Sequence, residues 1–314
     1  MRLLADIGGT NIRLALLADG SAQPEHEVSL RCADFDGLEQ ATRHYLARAG
    51  NPHVSEAAID VATAVTGDLV KLTNSPWAFS IEQTRRQLGL QRLLVLNDFT
   101  ALALSLPGLA PHELRQVGRG TAVADAPIAL IGAGTGLGVS GLLRCDSRWI
   151  PIQGEGGHTA FSPADEREDA VLGVLRERFG HVSTERLVSG PGLVNIYRAL
   201  SVLEHDVPRM LEPENVAELG MQGSDPRCAE ALRIFCSALG MAAGNLVVTL
   251  GARGGLFIGG GVVPKLGAWF DESPFRARFE HKGRFSAYVA AVPTFVILAE
   301  NPALRGLAAA LATP

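Results

Sequence analysis

A chain of 314 residues, 47% apolar and 19% charged, is long enough for more than one core and too apolar to be disordered. Its net charge of −5 offers no footprint for nucleic acid or an anionic membrane surface. The cysteines Cys32, Cys145, Cys228 and Cys236 show no CxxC or Cys/His ligand spacing, which argues against a disulfide framework or a zinc site and suits a reducing cytosol.

The opening stretch, RLLADIGGTNIRLALLADG, reads as strand, glycine-rich turn and strand, and reaches Asp6 too early for a signal peptide. A helix is expected over about 35–49, ending at Gly50-Asn51-Pro52. An apolar strand at 57–65 leads through Thr66-Gly67-Asp68 into a short strand, LVKLTN. Ser80 caps the next helix and Gly89 stops it. The strand RLLVLN then runs into Asn97 and Asp98, where another helix begins.

Residues 107–127 hold three prolines and few large apolar side chains, and are expected to cross between lobes. The second lobe opens with PIALIGAGTGLGVSGLL, again strand, glycine-rich turn and strand. At an offset of 126 residues, Gly8-Gly9-Thr10 meets Gly134-Thr135-Gly136 and LALL meets SGLL, which suggests one unit used twice. Ser162 and Pro163 are expected to start a helix with acidic first turns and basic last turns. A second helix, PGLVNIYRALSVLEH, follows, then a polar excursion over 208–226 and a long helix over about 226–250. Residues 234–252 carry no formal charge, but Gly240, Gly244 and Asn245 dilute them, so a buried helix is expected rather than a membrane span. A third strand runs into Gly259-Gly260-Gly261, and an apolar helix closes the chain at about 302–312.

Three glycine-rich turns therefore follow apolar strands directly, at 6–11, 132–138 and 259–261. Without a Cβ in the way, their backbone N–H groups can converge on a phosphate. No GxxxxGK[ST] is present, which excludes a P-loop. Gly136, Gly138 and Gly141 form a literal GxGxxG, yet a strand and not a helix follows it, so dinucleotide binding is not expected. Thr10 and Thr135 either donate to phosphate oxygens or only close their turns. Asp98, at the C-terminal end of a strand, reads either as a catalytic acid or base or as the cap of the helix after it.

The motifs DIGGTN, LNDFTALALSLP, GAGTGLG, EGGHTAFSP, ERLVSGPGL and GGGVVP, in that order, closely resemble bacterial glucokinases of the hexokinase/actin-like ATPase superfamily. The resemblance runs from residue 3 to about 311. It implies an α/β fold of two ribonuclease-H-like lobes with an interlobe cleft: a small lobe of 1–108 plus 300–314, and a large lobe of 109–299. It implies ATP-dependent phosphorylation of glucose at the 6-hydroxyl, with Asp98 as general base and with ATP and Mg²⁺ held near the glycine hairpins. Asn97, Glu155, His158 and Glu185 are implied sugar contacts, with Asn74 a further candidate. Glu155 and His158 otherwise read as an ordinary loop pair, and Glu185 as a surface partner of Arg186. Ala5, Asp6, Ile7, Gly8, Gly9 and Thr10 are implied to hold nucleotide phosphate, Asp6 being turned towards the magnesium through water. Gly134, Thr135, Gly136 and Gly260 would line the same nucleotide. Trp77 and Phe79 are expected in the core. A cytoplasmic homodimer is the family's usual state.

Ala64 stands where relatives often carry a proline, and the cysteine cluster of zinc-binding sugar kinases is missing. Alternatives are a kinase for mannose, fructose or an amino sugar, or a sugar-sensing regulator without turnover. Against the regulator, no helix-turn-helix precedes the first strand.

Overall fold

The computed structural model describes residues 1–314 except 22, 73, 74, 313 and 314. The chain divides into two compact units. Unit 1 comprises residues 1–110, 149–153 and 299–314, and unit 2 comprises 111–148 and 154–298.

Unit 1 is built on a five-stranded sheet of order β3-β2-β1-β4-β7. Its strands are β1 (Arg2–Ile7), β2 (Asn11–Leu17), β3 (Glu25–Arg31), β4 (Glu56–Val61) and β7 (Arg92–Asn97). A small hairpin of β5 (Leu69–Lys71) and β6 (Ala78–Ser80) stands apart from that sheet. Strands β1, β4 and β7 run parallel, so their C-terminal ends share one edge. Alternation assigns the faces. Leu3, Ala5 and Ile7 of β1 and Ala57, Ile59 and Val61 of β4 enter one core, with α1 (Leu38–Arg48) supplying Leu38, Ala41 and Tyr45. Leu4 and Ala58 point the other way, into a core completed by Ala101 of α3 (Asp98–Ser105) and by Leu304, Leu307 and Leu311 of the C-terminal helix (Pro302–Leu311). The two helices touch so closely that a Cβ at Gly306 would fall 1.7 Å from the Ala101 carbonyl oxygen.

Ser80 caps α2 (Ile81–Gln87) as expected, its oxygen accepting from the Gln83 N–H at 3.0 Å. Trp77 is buried, with its indole N–H on the Phe35 carbonyl. The strand expected over 57–65 ends at Val61, because residues beyond it leave the sheet. β3 was not anticipated: EHEVSLR alternates only weakly, and five of its seven residues are exposed.

A six-stranded sheet has the order β11-β10-β9-β12-β13-β8, and its five strands other than β11 belong to unit 2. Its strands are β8 (Leu114–Val117), β9 (Ile128–Ala133), β10 (Leu137–Cys145), β11 (Arg148–Ile152), β12 (Leu256–Gly259) and β13 (Thr294–Ile297). The supposed crossover thus contains an edge strand, β8, antiparallel to β13. Helices α4 (Glu166–Phe179), α5 (Gly190–Leu203), α6 (Pro213–Gln222) and α7 (Pro226–Leu250) form its helical layer. α7 is long and apolar enough to cross a membrane, but Leu232, Phe235, Cys236, Leu239 and Val247 lie in the unit's own core. A buried helix is what the glycines implied.

Two starts were misread. α4 begins at Glu166, not at Pro163, because Asp165 accepts from the Glu168 N–H at 2.8 Å while residues 160–161 stay extended against 182–183. The polar excursion holds a helix, α6, opened by Pro213 and ended by Gly223 at a φ of 67°.

Candidate active site

In unit 1 the strand register gathers three carboxylates. Asp6 and Asp60 are register partners on β1 and β4, and Asp60 is in turn the partner of Leu96 on β7. Asp98 follows two residues on, as the first residue of α3. The Arg13 guanidinium on β2, opposite Asp6 in the antiparallel register, donates to Asp6 at 2.8 Å. Asp60 is fully buried, and among the described residues neither of its oxygens meets an N–H or O–H donor. Burial, together with the negative charges of Asp6 and Asp98, pushes its carboxyl well above the usual range.

The helix after β7 is capped by Asn97, not Asp98. Asn97 Oδ1 accepts from the Phe99 and Thr100 N–H groups at 2.9 and 3.4 Å, and its Nδ2 donates to the Thr63 carbonyl. Asp98 Oδ1 also takes the Phe99 N–H, at 2.9 Å. The capping reading of Asp98 thus passes to its neighbour, and Asp98 stands at the strand's C-terminal edge beside Asp6 and Asp60.

The first glycine turn links β1 to β2, with the Gly8 N–H on the Asn11 carbonyl at 2.9 Å. Cys32 secures it from beneath: its N–H donates to the Thr10 carbonyl at 2.8 Å, and its thiol lies 3.7 Å from the Gly8 oxygen. Gly8 and Gly9 leave the outer side of the turn uncovered, with Gly9 and Thr10 exposed.

In unit 2 the candidate residues converge on the start of β10. Glu185 Oε2 accepts from the Leu137 N–H at 2.9 Å, and a Cβ at Gly136 would stand 2.5 Å from that same oxygen. Arg186 lies instead over the Phe179 ring, 4.2 Å from its centroid, so the Glu185–Arg186 pairing is replaced by two separate contacts. The loop Glu155–His158 presses on β10 from the other side: a Cβ at Gly157 would fall 2.1 Å from the Leu137 carbonyl oxygen, and one at Gly156 would fall 2.8 Å from Val139. This contact leaves room only for glycine. It holds Glu155 and His158 side by side, 3.9 Å apart and both exposed, with the His158 carbonyl 3.2 Å from His181 Nε2.

The second glycine turn, Gly134–Gly136, is closed by the Gly134 N–H on the Gly136 carbonyl, and the Gly134 carbonyl receives the Gly190 N–H at the start of α5. The third glycine run packs against it. Gly260 has a φ of 78°, and a Cβ there would stand 2.3 Å from the Ala133 oxygen. Beside these turns lies a cavity of about 480 Å³ with Thr135 at one end. Leu193, Pro213, Ala217, Met221, Val262 and Leu266 give it an apolar lining, and Lys265 and Glu214 pair at 3.6 Å at its exposed margin. The sequence reading missed this cavity, since five of its fourteen lining residues come from α6, a helix it did not anticipate. It also missed Asp60 and Arg13. A lone aspartate of opposite parity inside AAIDV was the available signal for Asp60. Asn74 lies outside the described residues.

Residues 3–314 match the glucokinase family. The chain is 54% identical to a glucokinase of Chromobacterium violaceum, across 99% of this chain and 89% of that one. It is 52% identical to a glucokinase of Aromatoleum aromaticum, across 99% and 94%. Its fold matches the crystal structure of a glucokinase from an Antarctic psychrotroph with a TM-score of 0.89 at 34% identity, covering 100% of this chain and 99% of that one. A ROK family glucokinase from Streptomyces griseus, solved with glucose and AMPPNP, shares the fold at 19% identity and a TM-score of 0.63, covering 99% of this chain and 98% of that one.

Proposed function

The chain belongs to the glucokinase family and phosphorylates glucose with ATP as donor, and we propose that its residues divide that reaction between them as follows. Asp98 accepts the proton of the sugar's 6-hydroxyl as that oxygen attacks the γ-phosphorus. The observation that carries this role is the cap: Asn97 takes the helix end, and Asp98 is left at the edge where three parallel strands finish. Phosphoryl transfer passes through a loose transition state, so alignment and charge neutralisation supply most of the rate.

Glu155, His158 and Glu185 hold the sugar hydroxyls. Carboxylates accept from vicinal hydroxyls, and the imidazole can donate or accept. Asn97 adds an amide from β7, and Asn74 is a further candidate. The first glycine turn, Ala5 to Thr10, and the second, Gly134 to Gly136, give backbone N–H groups and the Thr10 and Thr135 hydroxyls to the phosphates. Gly260 supports the second turn by its close packing as much as by facing the nucleotide. The apolar cavity beside Thr135 suits the purine base, whose faces want such walls.

Magnesium, which screens the phosphate charge, is held largely by phosphates and water in sites of this kind. The chain fits that mode. Among the described residues no group of three or more His, Cys, Asp or Glu side chains is placed to hold a metal ion, and the carboxylate at the phosphate turn is Asp6. Asp6 would meet the ion's water shell and not the ion. The resemblance also carries a cytoplasmic homodimer, which sedimentation of the purified protein would check.

A structure with glucose and a nonhydrolysable ATP analogue tests the core of this reading. The Asp98 carboxylate is expected within hydrogen-bond reach of the 6-hydroxyl; a carboxylate turned away from the sugar overturns it.

A further inference from the structure

The residues assigned to the sugar in unit 2 lie on two separate stretches of chain, joined by a seam to which the reaction so far gives no part. Glu155 and His158 stand on one stretch and Glu185 on the other. Residues 160 and 161 run extended against 182 and 183, with a bridge between Ala160 and Ser183 and the Phe161 N–H on the Val182 carbonyl at 3.0 Å. Beside them the Thr184 N–H donates to the Thr159 carbonyl at 2.8 Å, and the Thr184 hydroxyl donates to that same carbonyl at 3.1 Å. At the outer end His181 Nε2 lies 3.2 Å from the His158 carbonyl, which can only accept, so the ring nitrogen is the donor. Thr184 thus precedes Glu185 in the chain and grips the residue that follows His158.

The Thr184 hydroxyl is surplus to local folding. The N–H of the same residue already satisfies the Thr159 carbonyl, and its carbonyl takes the Leu187 and Val188 N–H groups whatever side chain it carries. The side chain is 3% exposed, in a place where valine would fill the same shape and bring no hydroxyl to be satisfied. Glu185 is fixed by other groups: the Leu137 N–H holds its carboxylate, and the Ser189 hydroxyl donates to its carbonyl at 2.9 Å. Glu155 and His158 are exposed, and their stretch is located by its glycine contacts on β10 and by this seam. Two donors from one residue restrain the direction of the seam as well as its length.

We propose that Thr184 is a positioning residue for the sugar site, with His181 as its outer partner: its buried hydroxyl, through the Thr159 carbonyl, fixes Glu155 and His158 at a set spacing from Glu185. A sugar ring presents its hydroxyls at fixed separations. Partners held at matching separations before the sugar arrives bind it without the cost of being ordered. The inference rests on the assignment of Glu155, His158 and Glu185 to the sugar.

The test compares four variants of the full chain in initial-rate assays, each checked for native circular dichroism and melting temperature. Thr184→Val keeps the shape and removes the donor. Its KM for glucose is expected to rise about five-fold, while kcat and the KM for ATP stay within about two-fold of native. Thr184→Ser keeps the hydroxyl, and its glucose KM is expected within about two-fold of native. A merely structural threonine would lower the melting temperature in Thr184→Val and leave the glucose KM of the folded enzyme unmoved, which overturns the proposal. Equal rises in Thr184→Val and Thr184→Ser would mean that the packing of the side chain matters and not its hydroxyl, and overturn it too. Where Thr184→Val does not fold, His181→Phe decides: it removes the outer donor at an exposed position, and its glucose KM is expected to rise about three-fold, an unchanged value overturning the proposal. Glu185→Gln separates the two readings. If it raises the glucose KM and Thr184→Val does not, only the positioning role fails. If it leaves the glucose KM unchanged, the sugar assignment of Glu185 fails and the positioning role fails with it.

Discussion

The hairpin β1–β2 of unit 1 and the hairpin β9–β10 of unit 2 are the same device put to different chemical use. Each is an antiparallel pair joined by a glycine turn, and each has a parallel strand, β4 or β12, along its first member. In unit 1 the sheet edge carries acids: Asp6 on β1, Asp60 on β4 and Asp98 directly after β7. In unit 2 the matching strand ends carry glycine. Gly132 and Gly259 are register partners, and a Cβ on the first would stand 2.5 Å from the backbone of the second. One unit thus places charged side chains at its sheet edge, while the other brings backbone close enough to leave N–H groups and an apolar cavity. The difference teaches that repeated topology need not repeat chemistry. The sheet supplies an edge, and the residue on each strand's last turn decides what the edge does.

This contrast can be broken at either hairpin. The largest effect is expected from Asp98→Asn, which keeps the shape and removes the base: kcat should fall by about 10²–10⁴-fold with glucose affinity retained by calorimetry. A near-native kcat would take the acid side of the comparison away. Next comes Gly136→Ala. Its Cβ would collide with Glu185 Oε2, so Glu185 must move, and the KM for glucose should rise about 30-fold without loss of fold, the loss of one charge-assisted contact and some of its neighbours. An unchanged KM would show that Glu185 is not needed where the structure puts it. Glu155→Gln keeps the loop and removes one charged acceptor, so a rise of about ten-fold in the glucose KM is expected in initial-rate assays.

The smallest effect sharpens the acid side through stability. The folded-state carboxyl of Asp60 is raised, so the folded protein holds a proton that the unfolded chain releases above about pH 3.9. Native stability therefore declines as pH rises above that value, until the folded group itself ionises. Asp60→Asn has no such decline. It should melt higher than native at pH 7 by a few degrees, and the gap should close below about pH 4. A gap of the same size at both pH values would show that Asp60 titrates as an ordinary carboxyl.

The apparent internal repeat shows how far such a comparison could be read without coordinates. The 126-residue offset lays β1 on β9 end to end, since Arg2–Ile7 becomes Ile128–Ala133. The second strands do not follow. Ile7 pairs with Ile12, but Ala133 pairs with Leu137, so the second turn is one residue shorter. The match of LALL to SGLL is consequently out of register by one residue, and a shift of one reverses which face each side chain takes. Strand identity was legible, and facing was not.

What the sequence determined by itself was local: where apolar strands break into glycine, where Ser80 caps a helix, and which residues carry charge at those breaks. Short-range sterics and hydrogen bonding settle such features within a few residues, so the linear order suffices. Only the tertiary structure decided that Asn97 and not Asp98 closes the helix, that Glu185 turns to Leu137 while Arg186 covers Phe179, and that Asp60 lies sealed between two acids. Each of these depends on which strand lies next to which and in what register, over separations of tens of residues. The energy of a carboxylate depends on those distant neighbours and on the exclusion of water, neither of which is written next to it in the chain.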